Sequence, residues 1–181
     1  MKAQSATTLT EIMTNNMENS GNKQKMQHRI LFICLGNICR SPAANAIMQK
    51  YVDDAGLTDR FYIDSAGIGP WHVGQLPDKR MRQHGARRGY RIDHIARQFD
   101  ARIDFTDFDF IVVMNDENYH DVCRKAHDDE RRKVIRMSDY FIKYRGKTSV
   151  PDPYYGDGDD FELALDLIED GCSGLLDKMT H

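Results

Sequence analysis

A chain of 181 residues, 40% apolar and 29% charged, has the composition of one soluble globular domain with a full core. Its formal charge of −3 leaves no basic footprint for nucleic acid and no polybasic stretch for a membrane surface. The four cysteines, Cys34, Cys39, Cys123 and Cys172, are too few and too scattered for a secreted disulfide framework, so they read as reduced thiols of a cytoplasmic protein.

Residues 1–27 are polar, show no sustained apolar period and lack the apolar segment of a signal peptide. They are expected to form a disordered extension ahead of one domain at 28–181. The apolar run in RILFIC (29–34) reads as a strand covered on both faces. A turn with Gly36 and Asn37 follows, then a helix with Ser41 as its N-cap, Pro42 in the first turn and Gly56 at the exit. RFYIDSAG (60–67) predicts a second strand and DKRMRQHGARRG (78–89) a short helix. A third strand is predicted over 107–115, a helix from there to about Ala126, and a fourth strand over 133–138. Phe161, Leu165, Ile168, Cys172 and Leu175 recur at three- and four-residue spacing, which predicts a long amphipathic helix over 159–178. Strands alternating with helices define an α/β class: a single domain with a parallel sheet and helices on both faces. Ligands bind such sheets at the carboxyl ends of the strands, where residues 34–41 would lie.

A strand, a loop of small residues and a helix make anion-binding geometry, because backbone N–H groups and the helix dipole converge there. Gly-Lys-Ser/Thr is absent, so this is no Walker loop, and one glycine is too few for a dinucleotide fingerprint. What stands there is Cys34, five intervening residues and Arg40. The N–H groups and the guanidinium both favour a thiolate, and a guanidinium holds two phosphate oxygens in its planar fork. A nucleophile at the centre of a phosphate cradle describes a phosphatase acting through a covalent thiophosphate. Downstream, Asp152 stands between two prolines with Tyr154 and Tyr155 after it, a stiff loop able to present a carboxyl to a phenolate leaving group.

CLGNICRSP together with DPYYG resembles the low-molecular-weight protein tyrosine phosphatases, over about residues 28–180. The resemblance implies a four-stranded parallel sheet with helices on both faces and a phosphate-binding loop between strand 1 and helix 1. It implies Cys34 as nucleophile, Arg40 as phosphate clamp and Asp152 as general acid and then base, with no cofactor and no metal. It sets Leu35, Gly36, Asn37, Ile38, Cys39, Trp71, Tyr154 and Tyr155 against the substrate, a phosphotyrosine-containing protein. Asn37, Ser41, Ser65 and His94 would form the polar network holding the loop, and Cys39 would be able to pair with Cys34 and protect it from over-oxidation. One departure is Asn115, where many relatives carry aspartate.

Other readings are weaker. Arsenate reductases share the loop but need a closely spaced downstream cysteine pair, and Cys123 and Cys172 lie far apart. Arginine phosphatases tend to have a small polar residue where Ile38 stands, and they lack the paired tyrosines. A non-catalytic phosphate-binding module needs neither Cys34 nor Asp152. His120, Cys123 and His127 have a spacing that suits a metal on one helical face, without a fourth ligand. The basic clusters ARRGYR and DERRKVIR read as solvated faces, with attraction of acidic phosphoprotein segments as the lesser reading.

Overall fold

The computed structural model describes residues 27–181. The reading of 1–27 as a disordered extension lies outside the described residues, Gln27 excepted. Strand β1 (His28–Cys34) is the innermost element. Successive side chains of a strand point to opposite faces. Ile30, Phe32 and Cys34 enter one core and Leu31 and Ile33 the other, so no polar alternation survives in its sequence.

β2 (Phe61–Gly67) and β3 (Phe110–Val113) flank β1, and β4 (Val134–Arg136) completes a parallel sheet of order β2-β1-β3-β4. Parallel neighbours need crossovers, supplied by α1 (Arg40–Asp54), α2 (Lys79–Arg87), α3 (Ala101–Asp107) and α4 (Asp116–Cys123); α5 (Gly158–Thr180) closes the chain. One face of the sheet packs on Ile47 and Met48 of α1, Met81 of α2 and Phe161, Leu165 and Ile168 of α5. The other packs on Phe105 of α3 and Val122 of α4.

Several boundaries differ from those expected. Helix α1 begins at Arg40 with Cys39 in the capping position, so Ser41 is a buried first-turn residue and not the cap. Its exit is as expected. Gly56 takes a φ of 69°, and the N–H groups of Leu57 and Gly56 close back on Val52 and Asp53 at 2.9 and 3.0 Å. The third strand narrows to four residues, since Asp107 belongs to α3, a helix not anticipated, which Asp100 caps by accepting from the Arg102 N–H at 3.0 Å. The fourth narrows to three residues between two short 3₁₀ turns. Helix α4 ends at Cys123, so His127 lies beyond it and shares no helical face with His120. Among the described residues no three His, Cys, Asp or Glu side chains cluster as metal ligands. Asn115 caps α4, accepting from the Asn118 N–H at 2.8 Å, a task aspartate would perform equally. The basic clusters are only in part committed to neighbouring elements. Arg88 pairs with Glu162, Asp166 and Glu169 of α5, and Arg131 to Lys133 precede β4 at the amino edge of the sheet.

Candidate active site

Cys34 ends β1 opposite Gly67, and the chain turns through residues 35–39 into α1. A Cβ on Gly67 would lie 2.9 Å from the backbone nitrogen of Asn37 and 2.9 Å from the carbonyl carbon of Gly36. The loop therefore packs against the end of β2 only because that strand ends in glycine. Asn37 is fully buried and left-handed, with φ 57°, a region asparagine tolerates better than most residues. Its Oδ1 accepts from the Arg97 N–H at 3.0 Å, and its Nδ2 donates to Ser41 Oγ at 2.8 Å and Ser65 Oγ at 3.0 Å. A backbone N–H only donates, so Arg97 fixes which way this amide points. Ser41 Oγ thus accepts a hydrogen bond from Asn37 and keeps its own hydrogen free to donate. Cys34 Sγ lies 3.0 Å from that oxygen and the Ala66 carbonyl 3.4 Å from it.

Arg40 is only 2% exposed. Its Nη1 donates to the Val150 carbonyl at 3.1 Å and its Nη2 sits 3.2 Å from Asp152 Oδ2, while its Nε is buried with no partner among the protein atoms. A buried charged donor without an acceptor is costly. Beside Nη2 it makes the two-pronged edge that fits two oxygens of a phosphate. Asp152 accepts from the Tyr154 N–H at 3.2 Å, which turns its carboxylate back toward Arg40.

Cys34, Arg40 and Asp152 share one cleft of about 290 Å³. Leu35, Gly36, Ile38, Cys39, Trp71, Tyr154 and Tyr155 line it as well, and so does His72, which sequence reasoning did not single out. The His72 ring lies over Gly36 and 6.3 Å from the Tyr154 ring. Its signal was its place directly after Trp71 in an aromatic-bearing loop. That loop is latched to the phosphate loop by N–H groups of Ile68, Gly69 and Asp78, which donate to the carbonyls of Cys34, Leu35 and Ile38 at 3.0, 2.9 and 2.7 Å. A Cβ on Gly69 would collide with the Trp71 ring, so glycine there sets where the indole rests. Tyr155, 95% exposed, stands edge-on to Tyr154 at the mouth. Asn37, Ser41 and Ser65 lie beneath the loop. His94 is not among their hydrogen-bond partners, its Nδ1 lying 3.6 Å from Asp64, and Asn37 belongs to this buried network and not to the cleft wall.

Arg80 was also not apparent in the sequence. Asp78 grips it through Nε and Nη2 at 3.1 and 2.9 Å, and Nη2 donates to the Tyr154 carbonyl at 2.9 Å. It joins the segment carrying Asp152 to the segment latched on Ile38. Arg80→Ala is expected to lower kcat on a phenyl phosphate roughly tenfold, with Arg80→Lys recovering part of the loss. Steady-state kinetics on both variants check this, and an unchanged kcat in Arg80→Ala would remove Arg80 from any positioning role.

The remaining cysteines are held toward the neutral thiol. Burial pushes the Cys39 thiol up, with Asp78 adding to it, and burial likewise raises Cys172 and Cys123. Iodoacetate near neutral pH should therefore label one residue, Cys34, with inorganic phosphate protecting it. Peptide mapping by mass spectrometry decides, and earlier labelling of Cys39 or Cys123 would contradict the assignment.

Thiol, guanidinium and carboxylate thus converge at the carboxyl edge of a parallel α/β sheet, around a space lined with donors for a phosphate group. Residues 29–181 match the family described as low molecular weight phosphotyrosine protein phosphatase. A low molecular weight protein-tyrosine-phosphatase of Streptomyces coelicolor is 40% identical over 83% of this chain and 93% of its own. Among solved structures, a protein tyrosine phosphatase from Entamoeba histolytica superposes with a TM-score of 0.82 at 40% identity, over 84% of this chain and 97% of the other. An arginine phosphatase from Drosophila superposes at 0.77 with 31% identity, over 84% and 98%. The chain belongs to the low molecular weight phosphotyrosine protein phosphatases, and with them it is a phosphate-ester hydrolase acting on phosphoproteins.

Proposed function

We propose that the chain hydrolyses phosphotyrosine in proteins through a cysteinyl-phosphate intermediate. The Cys34 thiolate attacks phosphorus while Arg40 and the backbone N–H groups of the loop hold the non-bridging oxygens. The P–O bond to the tyrosine breaks, and Asp152 in its acid form gives its proton to the departing phenolate oxygen. Asp152, now a carboxylate, takes a proton from water as that water attacks phosphorus. The S–P bond breaks, inorganic phosphate forms and the electron pair returns to Cys34, where the Ser41 hydroxyl stabilises the thiolate. No cofactor enters these steps.

The observation that carries this reading is the Ser41 hydroxyl 3.0 Å from Cys34 Sγ, in a cleft where Arg40 faces Asp152 at 3.2 Å. Trp71 and Tyr154 among the cleft walls favour a flat ring, and a thiol at the base of the slot suits a phosphate carried at the far end of such a ring. Ile38 on the same wall offers no polar partner to a guanidino group, which favours phosphotyrosine over phosphoarginine. The test is phosphate release from phosphotyrosine, phosphoserine and phosphoarginine forms of one peptide. Selective release from phosphotyrosine is expected. Release from phosphoarginine alone would transfer the chain to the chemistry named for its Drosophila neighbour.

A further inference from the structure

Nine large apolar side chains are exposed among the described residues; three of them line the cleft and three more stand on the loop that carries Trp71 or on the segment bonded to it. Leu35, Trp71 and Tyr155 line the cleft, and Val73 and Leu76, 55% and 46% exposed, follow Trp71 in the same loop. Ile95, 51% exposed, belongs to the adjoining segment. The Ala96 N–H donates to the Gln75 carbonyl and the Gly74 N–H to the Ala96 carbonyl, each at 2.9 Å, so the two segments form one surface. The other three are scattered, and Tyr62 is covered by the Arg29 guanidinium at 4.6 Å.

Clustered exposed apolar side chains mark interaction surfaces, because a protein otherwise loses solubility by displaying them. This one is continuous with the cleft that receives the phosphoryl group. Its main stretch carries no charge: no Asp, Glu, Lys or Arg occurs between Asp64 and Asp78. Of the basic side chains that might have attracted acidic flanks, Arg88 is spent on α5, Arg91 and Arg136 pair with Asp93 and Asp116, and Arg131 to Lys133 lie at the amino edge of the sheet. Because the backbone bonds hold the rim in place before any peptide arrives, little ordering cost opposes docking.

We infer that this rim docks the polypeptide on one side of the phosphotyrosine and selects segments with apolar residues there over acidic ones. The inference rests on the phosphotyrosine reading above and adds its substrate class. The measurement is kcat/KM for phosphotyrosine peptides of equal length with Leu/Val, Ser/Gly or Asp/Glu flanks, with a small aryl phosphate as reference. The protein is compared with a Val73→Ser, Leu76→Ser, Ile95→Ser triple variant and with each single variant, their folding checked by thermal melt.

The apolar-flanked peptide should be hydrolysed at least about tenfold better than the acidic one, the equivalent of about 1.4 kcal/mol. Partial burial of one or two aliphatic side chains supplies that much. The triple variant should erase the preference and leave turnover of the small aryl phosphate unchanged. Equal rates on all flanks, or a preference that survives the triple variant, would overturn the inference. So would sedimentation showing a dimer that the triple variant dissociates without changing peptide selection, since a second copy would then be what covers the rim. Failure to hydrolyse even the small aryl phosphate would instead sink the phosphatase chemistry, and the docking role with it.

Discussion

Replacing Cys34 by serine is expected to cut turnover of a phosphotyrosine peptide by at least about 10⁴-fold, the scale seen when a covalent nucleophile is removed. The loss follows from the ionisation of the attacking atom. In the proposed step Sγ, 3.0 Å from the Ser41 hydroxyl, attacks as the thiolate, and an alcohol is a far weaker acid than a thiol. Serine is smaller than cysteine by little, and Cys34 is 3% exposed, so the packing of β1 should survive. Arg40 remains, and phosphate should still raise the melting temperature of the variant. Residual turnover above one part in a hundred would show that sulfur is not the attacking atom, and a variant that no longer responds to phosphate would show that the cradle itself depends on the thiol.

Removing the carboxyl of Asp152 is expected to have the second largest effect, and one that depends on the leaving group. Asp152→Ala should lose roughly 10²- to 10⁴-fold on tyrosine-like phenols, the usual worth of a positioned acid. The loss should shrink steadily as the phenol becomes a better leaving group, because a stable phenolate departs without a proton. At the same time inorganic phosphate should inhibit more strongly. In the protein as it stands the carboxylate holds Arg40 Nη2 at 3.2 Å, and an incoming anion must compete for that donor. A series of aryl phosphates, together with the inhibition constant for phosphate, measures both effects. Equal losses across the series would mean that Asp152 shapes the cleft without donating a proton.

The parts of this molecule visible in the sequence are those governed by local rules. The β1 run, the turn and the α1 exit at Gly56 each follow from a few adjacent residues, and so does the start of α5, where Asp157 and Asp160 cap reciprocally. Ser41 was misread because serine before proline satisfies the capping rule. In the fold its hydroxyl is claimed by Asn37 and turned to the sulfur, while Cys39 takes the capping position. Helix α3 was hidden by its shortness, with Asp100 as the one usable signal. Arg80 and His72 could not be placed at the cleft from sequence, since their contacts come from segments that only the folded chain brings near. Arg80 meets Tyr154 across 74 positions, and His72 meets Gly36 through the way loop 68–77 folds over the phosphate loop. The match of the outer motifs to a family supplied the roles that periodicity alone does not.

The two reacting groups are anchored with unequal firmness. Cys34 terminates a strand paired with β2 through Cys34 itself and with β3 through Ile33, so it is held by the core of the sheet. Asp152 rides on a stretch outside any helix or strand, tethered by the Val150 N–H to Met114 at 2.8 Å and by the guanidinium groups of Arg40 and Arg80. Small sub-global fluctuations suffice to free it. Under warming or mild urea the enzyme would therefore lose proton delivery before phosphoryl capture, passing through a native-like ensemble that still takes phosphate onto sulfur from good leaving groups but stalls on tyrosine.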